Sequence, residues 1–134
     1  MATTIPASHA DLLALDKPAF AQLATVNTDG SPQVTPVWVD YDGTHVIVNT
    51  AKGRKKANNL ERNPRVALAI SDPANPYRYI GIQGRVVEMT ENGGDAHIDK
   101  MAKKYMGKDT YPLRTPDERR VIVKIAPEKV HTMG

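Results

Sequence analysis

The chain has 134 residues, 40% hydrophobic and 25% charged, an ordinary balance for a water-soluble globular domain, and residues 1–134 are expected to form one domain. It contains no cysteine, which excludes disulfides, thiolate nucleophiles and cysteine-ligated metal centres. The net charge of +3 is concentrated: from Lys52 to Arg65 six basic residues meet one acid, Glu61, so this window alone carries +5. Residues 1–20 lack a signal-peptide pattern and no apolar run nears the length of a membrane span, so a cytoplasmic protein with no membrane partner is expected.

In chain order, Ser8-His9-Ala10-Asp11 predicts a short helix, with Ser8 as N-cap and Asp11 in the capping-box position. Leu12, Leu13 and Leu15 supply its apolar side, and Lys17-Pro18 ends it. Phe20 to Val26 reads as a strand, followed by Asp29-Gly30, a strong hairpin signal between apolar runs. The return strand is expected over Gln33 to Val39, with Asp42-Gly43 turning the chain into His45 to Thr50 as the third strand of a meander. Pro36 cannot donate to a ladder, which marks an edge strand or a bulge.

Near Gly53 a helix should begin and stop before Pro64. Four cationic side chains crowd its first turns: Lys52, Arg54, Lys55 and Lys56. A helix N-terminus with free N–H groups and a positive dipole end suits a phosphate or carboxylate. The same charges also suit a solvated face with Ala57 and Leu60 turned inward.

Val66 to Ile70 reads as a buried strand, and Asp72 to Pro76 as a loop by composition. Tyr77 to Met89 is a long strand whose Gly81 and Gly84 suggest bends. Asp95 to Met106 is helical, with Ile98, Met101, Ala102 and Tyr105 on one face. Residues 107–116 are polar and irregular, Val121 to Ile125 forms a last strand, and Val130 to Met133 extends it. The fold expected is mainly β with short helices, a six-stranded antiparallel barrel.

The four histidines lie far apart, in no pairing with metal-ligand spacing, and no nucleophile, Walker or dinucleotide motif is present. A chain without its own catalytic apparatus can still catalyse when a cofactor carries the reaction. A nucleic-acid-binding barrel is disfavoured, because none of the seven aromatic residues interleaves with the basic run.

Three segments carry a resemblance: Thr25-x-x-x-Asp29-Gly30-x-Pro32-Gln33-Val34-x-Pro36-Val37-Trp38; Asn49-Thr50-Ala51-x-Gly53-Arg54-x-Lys56-x-x-Asn59-Leu60-x-x-Asn63-Pro64; and Asp72-Pro73-x-Asn75-Pro76-Tyr77-Arg78. Together they resemble the split β-barrel flavin/deazaflavin oxidoreductases, the superfamily of pyridoxamine 5′-phosphate oxidase. Within it they are similar to coenzyme F420-dependent reductases of the B group.

The resemblance implies a homodimer of six-stranded split barrels with cofactor sites at the interface. Lys56 falls at the cofactor phosphate, helped by Arg54 and by the amides of Thr50, Ala51, Lys52 and Gly53. Gln33, Thr35, Pro36 and Trp38 fall on the strand lining the ring. Tyr77, Arg78 and Tyr79 sit where the second subunit closes the site, and Asn49 and Asn59 belong to the same cofactor-binding motif. The implied activity is an F420H2-dependent reductase, passing hydride from the deazaflavin C5 to a conjugated small-molecule substrate. The alternative is an FMN-dependent flavoprotein of the pyridoxamine-phosphate-oxidase type.

A single FMN phosphate is served by Lys56, Arg54 and helix amides. Lys52, Lys55 and Arg62 are surplus for FMN and useful for the oligoglutamate tail of F420, which favours F420. No side chain in the sequence declares itself as proton donor, and no residue is assigned a catalytic role.

Overall fold

The computed structural model describes residues 3–134. Strands β1 (Ala21–Val26) and β2 (Pro32–Val37) form the hairpin expected around Asp29-Gly30. Ala21, Leu23 and Thr25 of β1 are buried and alternate with more exposed neighbours, the period of a strand with one face on a core. β2 pairs with β1 alone, so it is an edge strand, and Pro36 there interrupts no inner ladder.

After Val37 the chain departs from the expected course. The Val39 N–H donates to the Tyr105 hydroxyl at 3.0 Å, and the Val39 carbonyl accepts from Lys104 at 2.8 Å. With both backbone groups taken by side chains, the second strand cannot run to Val39. The short strand β3 (Asp40–Tyr41) forms instead and pairs with β4 (Val46–Ala51). β4 then pairs with the last strand and not with β2, which replaces the three-stranded meander.

Beyond β4, Gly53 adopts φ +86°, a conformation other residues rarely take, and turns the chain into α1 (Lys55–Arg62). Three further strands and a second helix complete the fold: β5 (Arg65–Asp72), β6 (Asn75–Thr90), α2 (Gly94–Met106) and β7 (Arg120–Met133). The strands lie in the order β2-β1-β5-β6-β7-β4-β3, all antiparallel. In place of the expected six-stranded split barrel the sheet is a curled, seven-stranded half-barrel whose two ends are β2 and β3.

Two local expectations are also corrected. Asn75 and Pro76 are the first residues of β6 and not a loop, because the β5–β6 hairpin turns tightly at Pro73-Ala74. The N-terminal segment Ala7–Leu13 is a 3-10 helix without a side-chain cap. Its capping residues are used elsewhere: Ser8 bonds His9, and Asp11 accepts from Arg78 at 2.6 Å.

Leu12 and Leu13 of that helix join Leu23, Val48, Leu68 and Ile80 in one core with Val123 and Ile125. Each such side chain, fully buried, contributes about 1.5–3 kcal/mol. The core holds the half-barrel together while α1 and α2 sit on its rim. α2 can approach β7 closely because its first residue is Gly94. A Cβ there would lie 2.4 Å from the Arg120 carbonyl oxygen. That close approach brings His97, one turn along α2, beside β4.

Candidate functional site

Where Trp38, the start of α1, the start of β7 and the 107–119 segment meet, the surface opens into a cleft of about 260 Å³. One wall is aromatic. Phe20, Tyr105 and Trp38 stack in series, with ring centroids 5.4 Å and 5.3 Å apart, and Tyr111 meets Trp38 edge-on at 5.9 Å. Tyr105 is locked in place, its hydroxyl donating to the Ala19 carbonyl at 2.7 Å while accepting from Val39. Burial pushes its phenol up to about 12. Tyr105 is therefore a neutral strut.

The opposite wall is cationic. Arg54, Lys56 and Arg120 all line the cleft. Lys56 is half-buried, and among the described residues no carboxylate lies within ion-pair distance of it. Burial, then repulsion from Arg54 and Arg120, lowers its ammonium below the usual lysine value. The first-turn N–H groups of α1 add to this wall, since the helix has no side-chain cap. Exposed Arg54, half-buried Lys56 and buried Arg120 around uncapped amides suit an oxyanion.

Arg54 and Arg120 converge on Glu118. Arg54 donates to its carboxylate at 3.2 Å, and Arg120 Nη1 donates to the same oxygen. Burial alone would raise the Glu118 carboxyl, but the contacts with Arg120 and Arg54 outweigh it and hold it below its usual range. The Arg120 guanidinium also lies 5.3 Å from the Tyr111 ring centre. Tyr111 is held by its N–H to Asp99 at 2.8 Å, and Arg114 pairs with both Asp95 and Asp99. These ties fix the 107–119 segment beside the cleft, with Tyr111 in its lining.

The structure gathers only part of the residue set expected from sequence. Pro36, Trp38, Asn49, Arg54 and Lys56 line the cleft together. Ala51 and Lys52 line an adjoining hollow with Arg54. Gly53 shapes the turn, Lys55 is exposed, and Thr50 is buried in the core. Gln33 and Thr35 stand on β2, half-buried and outside the cleft. Asn59 is buried and donates to Thr25, Asn27 and Gln33, which fastens α1 to the β1–β2 hairpin. Arg78 is engaged with Asp11, Asp72 and the Ser8 carbonyl, while Tyr79 packs edge-on against His131 and Tyr77 is exposed.

Sequence reasoning missed Arg120, Glu118, Tyr111, Phe20 and Asp40. It also set aside His97, which lies 3.1 Å from Asp40. A charged residue opening the apolar run Val121–Ile125 was the one visible signal for Arg120.

Comparison with known proteins bears on the family and the fold. The family model for pyridoxamine 5′-phosphate oxidase matches residues 6–134. A solved structure described as an F420 reductase superposes with a TM-score of 0.81 at 32% identity, covering 95% of this chain and 98% of that one. A conserved hypothetical protein from Mycobacterium tuberculosis shares the fold, with a TM-score of 0.72 at 23% identity over 98% of this chain and 86% of that one. The pyridoxine/pyridoxamine 5′-phosphate oxidase of Aeromonas hydrophila is 35% identical over 78 residues, which are 57% of this chain and 36% of that protein. The match thus spans little more than a third of that relative's length. The chain belongs to the pyridoxamine 5′-phosphate oxidase family, a family of flavin-binding oxidoreductases. Among the described residues, no helix is long and apolar enough to cross a membrane.

Asp40, bonded to His97 and Lys100, supplies a test of the buried polar contacts between β3 and α2. Burial would raise its carboxyl, but hydrogen bonds from His97, the Tyr41 N–H and Lys100 prevail and hold it at about 2. A carboxyl lowered on folding stabilises the protein above its unfolded value near 4, and that stability is lost as pH falls toward 2. The contribution is about 2 kcal/mol. In denaturant titrations, Asp40→Asn should be less stable than the parent at pH 6, and the gap should narrow between pH 4 and 2. A gap independent of pH would contradict this reading of Asp40.

Proposed function

We propose that the protein is a reductase using a reduced, phosphorylated flavin-type cofactor, with F420H2 the favoured one and a conjugated small molecule as substrate. The observation that carries this reading is the meeting of an aromatic wall with Arg54, Lys56 and Arg120 at the uncapped start of α1. The fit is chemical: a tricyclic ring suits Trp38 and its neighbours, and a phosphate suits the cations and helix amides. When bound, the reduced cofactor supplies a hydride to an electron-poor carbon.

The chain's own residues do the rest. Lys56 and Arg54 hold the phosphate, Trp38 and Pro36 border the ring, and the 107–119 segment fixed beside the cleft limits water. Fixed geometry and a partly dry cationic pocket favour transfer without a protein nucleophile.

Support for F420 over FMN comes from the likeness to the F420 reductase, which extends over nearly the whole of both chains. One observation favours FMN. Two of the three cations expected to meet an oligoglutamate tail have partners within the protein. Lys52 lies 3.6 Å from Glu61 and 4.0 Å from Glu91, and Arg62 donates to the Val26 carbonyl and to Asn59. Exposed pairs of the Lys52 kind are weak, about 0–1 kcal/mol, so a tail carboxylate can displace them.

A dimer belongs to the same reading. The cleft of about 260 Å³ is small beside the roughly 300–1,000 Å³ of most ligand sites, and a second subunit adding a wall would enlarge it. Tyr77 and Val34 are 79% and 62% exposed, large apolar groups available for such a contact. Sedimentation at micromolar concentration should give the mass of two chains. A monomer binding cofactor at full affinity would remove the dimer from the proposal.

Fluorescence titration tests the cofactor. F420 should bind more tightly than FMN at low salt, and Lys56→Ala should weaken whichever cofactor binds by about ten- to 150-fold, the range for a lost charge-assisted hydrogen bond. A folded Lys56→Ala variant with unchanged affinity would move the phosphate away from α1. Equal or tighter binding of FMN would reverse the choice of cofactor.

A further inference from the structure

Arg120 is fixed by more than its ion pair. Its Nε–H donates to Asn49 Oδ1 at 2.8 Å, and the Asn49 amide nitrogen gives its two hydrogens to the Gly94 carbonyl at 3.0 Å and to His97 Nδ1 at 3.1 Å. Every polar atom of the Asn49 side chain is therefore used. A flipped amide would set its NH2 against the guanidinium N–H and its oxygen against the Gly94 carbonyl, so the orientation is determined by its neighbours.

The same logic sets His97. Its Nδ1 accepts from Asn49, so its proton sits on Nε2 and points to Asp40 Oδ2 at 3.1 Å. Asp40 is held in turn by the Tyr41 N–H at 2.8 Å and by Lys100 at 3.1 Å. An ordered relay thus runs from β3 through α2 and β4 to the first residue of β7.

At the end of this relay stands a side chain only 3% exposed. Arg120 has five N–H donors, and the contacts with Asn49 and Glu118 use two. Among the described residues the Nη2 donors have no acceptor, and Nη2 is not fully buried, so these donors face accessible space. The residue lines the cleft that also holds Lys56 and Arg54. A purely structural Arg120–Glu118 pair would not need donors left over toward an open cleft, nor an ordered relay behind them.

We propose that Arg120 is a third phosphate-holding residue of the cleft, and that Asp40, His97 and Asn49 are positioning residues that aim its guanidinium. This rests on the cofactor reading above and adds to it a residue set drawn from β3, β4, α2 and β7. Because the guanidinium is planar and forked, lysine at this position keeps the charge but loses both the Asn49 bond and the aim.

The test compares probes with and without phosphate: FMN against riboflavin, and F420 against its phosphate-free chromophore, titrated on the purified full chain. Arg120→Lys and His97→Leu should each weaken the phosphorylated probe by about tenfold, the loss expected for a hydrogen bond to a charged group, and leave its phosphate-free partner within about twofold. His97→Gln carries an acceptor and a donor on one amide, and it should recover part of the loss. If His97→Leu does not fold, Arg120→Lys decides, with melting curves as the check on folding.

Equal losses for both members of a probe pair would mean a structural role and overturn the proposal. So would wild-type affinity in folded Arg120→Lys and His97→Leu. Wild-type protein that binds neither FMN nor F420 overturns the cofactor reading and this proposal together, whereas normal wild-type binding with unaffected variants overturns this proposal alone.

Discussion

Capture of the Val39 backbone by Tyr105 and Lys104 is the interaction on which the rest of the architecture turns. It ends β2 and lets β3 begin after two residues, so that the two terminal strands of the sheet are joined by Trp38-Val39 alone. The residues on either side of Val39 acquire their positions from this break. Trp38 is left to stack on Tyr105 in the cleft wall, and Asp40 is delivered to His97 and Lys100. Fold and candidate site thus share one cause, because the groups that stop the strand come from the same helix that supplies His97.

The electrostatic character of the cleft follows from where acids are placed. Glu118 holds Arg54 and Arg120 near each other but neutralises only one charge, and Lys56 has no acid of its own among the described residues. Three cations against one carboxylate at the mouth of a helix make a site that gains from taking up an anion. Some cations elsewhere are paired within the protein. Arg78 bridges Asp11 and Asp72, and Arg119 pairs with Glu91, so neither leaves an open cationic surface. The cleft is thus not the chain's whole open cationic surface, since Lys55, Arg65, Arg85 and Lys129 are also exposed, but it is where cations meet the start of a helix and an aromatic wall.

Much of this was legible from sequence where the signal is local. The Asp29-Gly30 turn, the helix between Gly53 and Pro64 and the helix ending at Met106 all follow from turn chemistry and periodicity, and each formed as expected. Pairing across distance was not legible. Nothing near Val39 announces that its backbone will bond to residues more than 60 positions later, and that one event changed six strands to seven. The first helix formed as a 3-10 helix but without its expected cap, since Asp11 had a partner in Arg78, 67 residues away. His97 was set aside because no other histidine lay near it, although its partners were Asp40 and Asn49. Lys56 was visible as a candidate because it sits in a continuous motif, whereas Arg120 reaches the same cleft from the last strand.

The central claim is that the cleft between Trp38 and the start of α1 is the cofactor site. Trp38 is the chain's single tryptophan and lines that cleft, so its emission is an unambiguous reporter of occupancy. Titration with F420 or FMN should quench Trp38 fluorescence saturably, with one cofactor per chain and the same affinity that the cofactor's own signal gives. Binding detected through the cofactor signal while Trp38 emission stays unchanged would place the cofactor elsewhere and contradict the account.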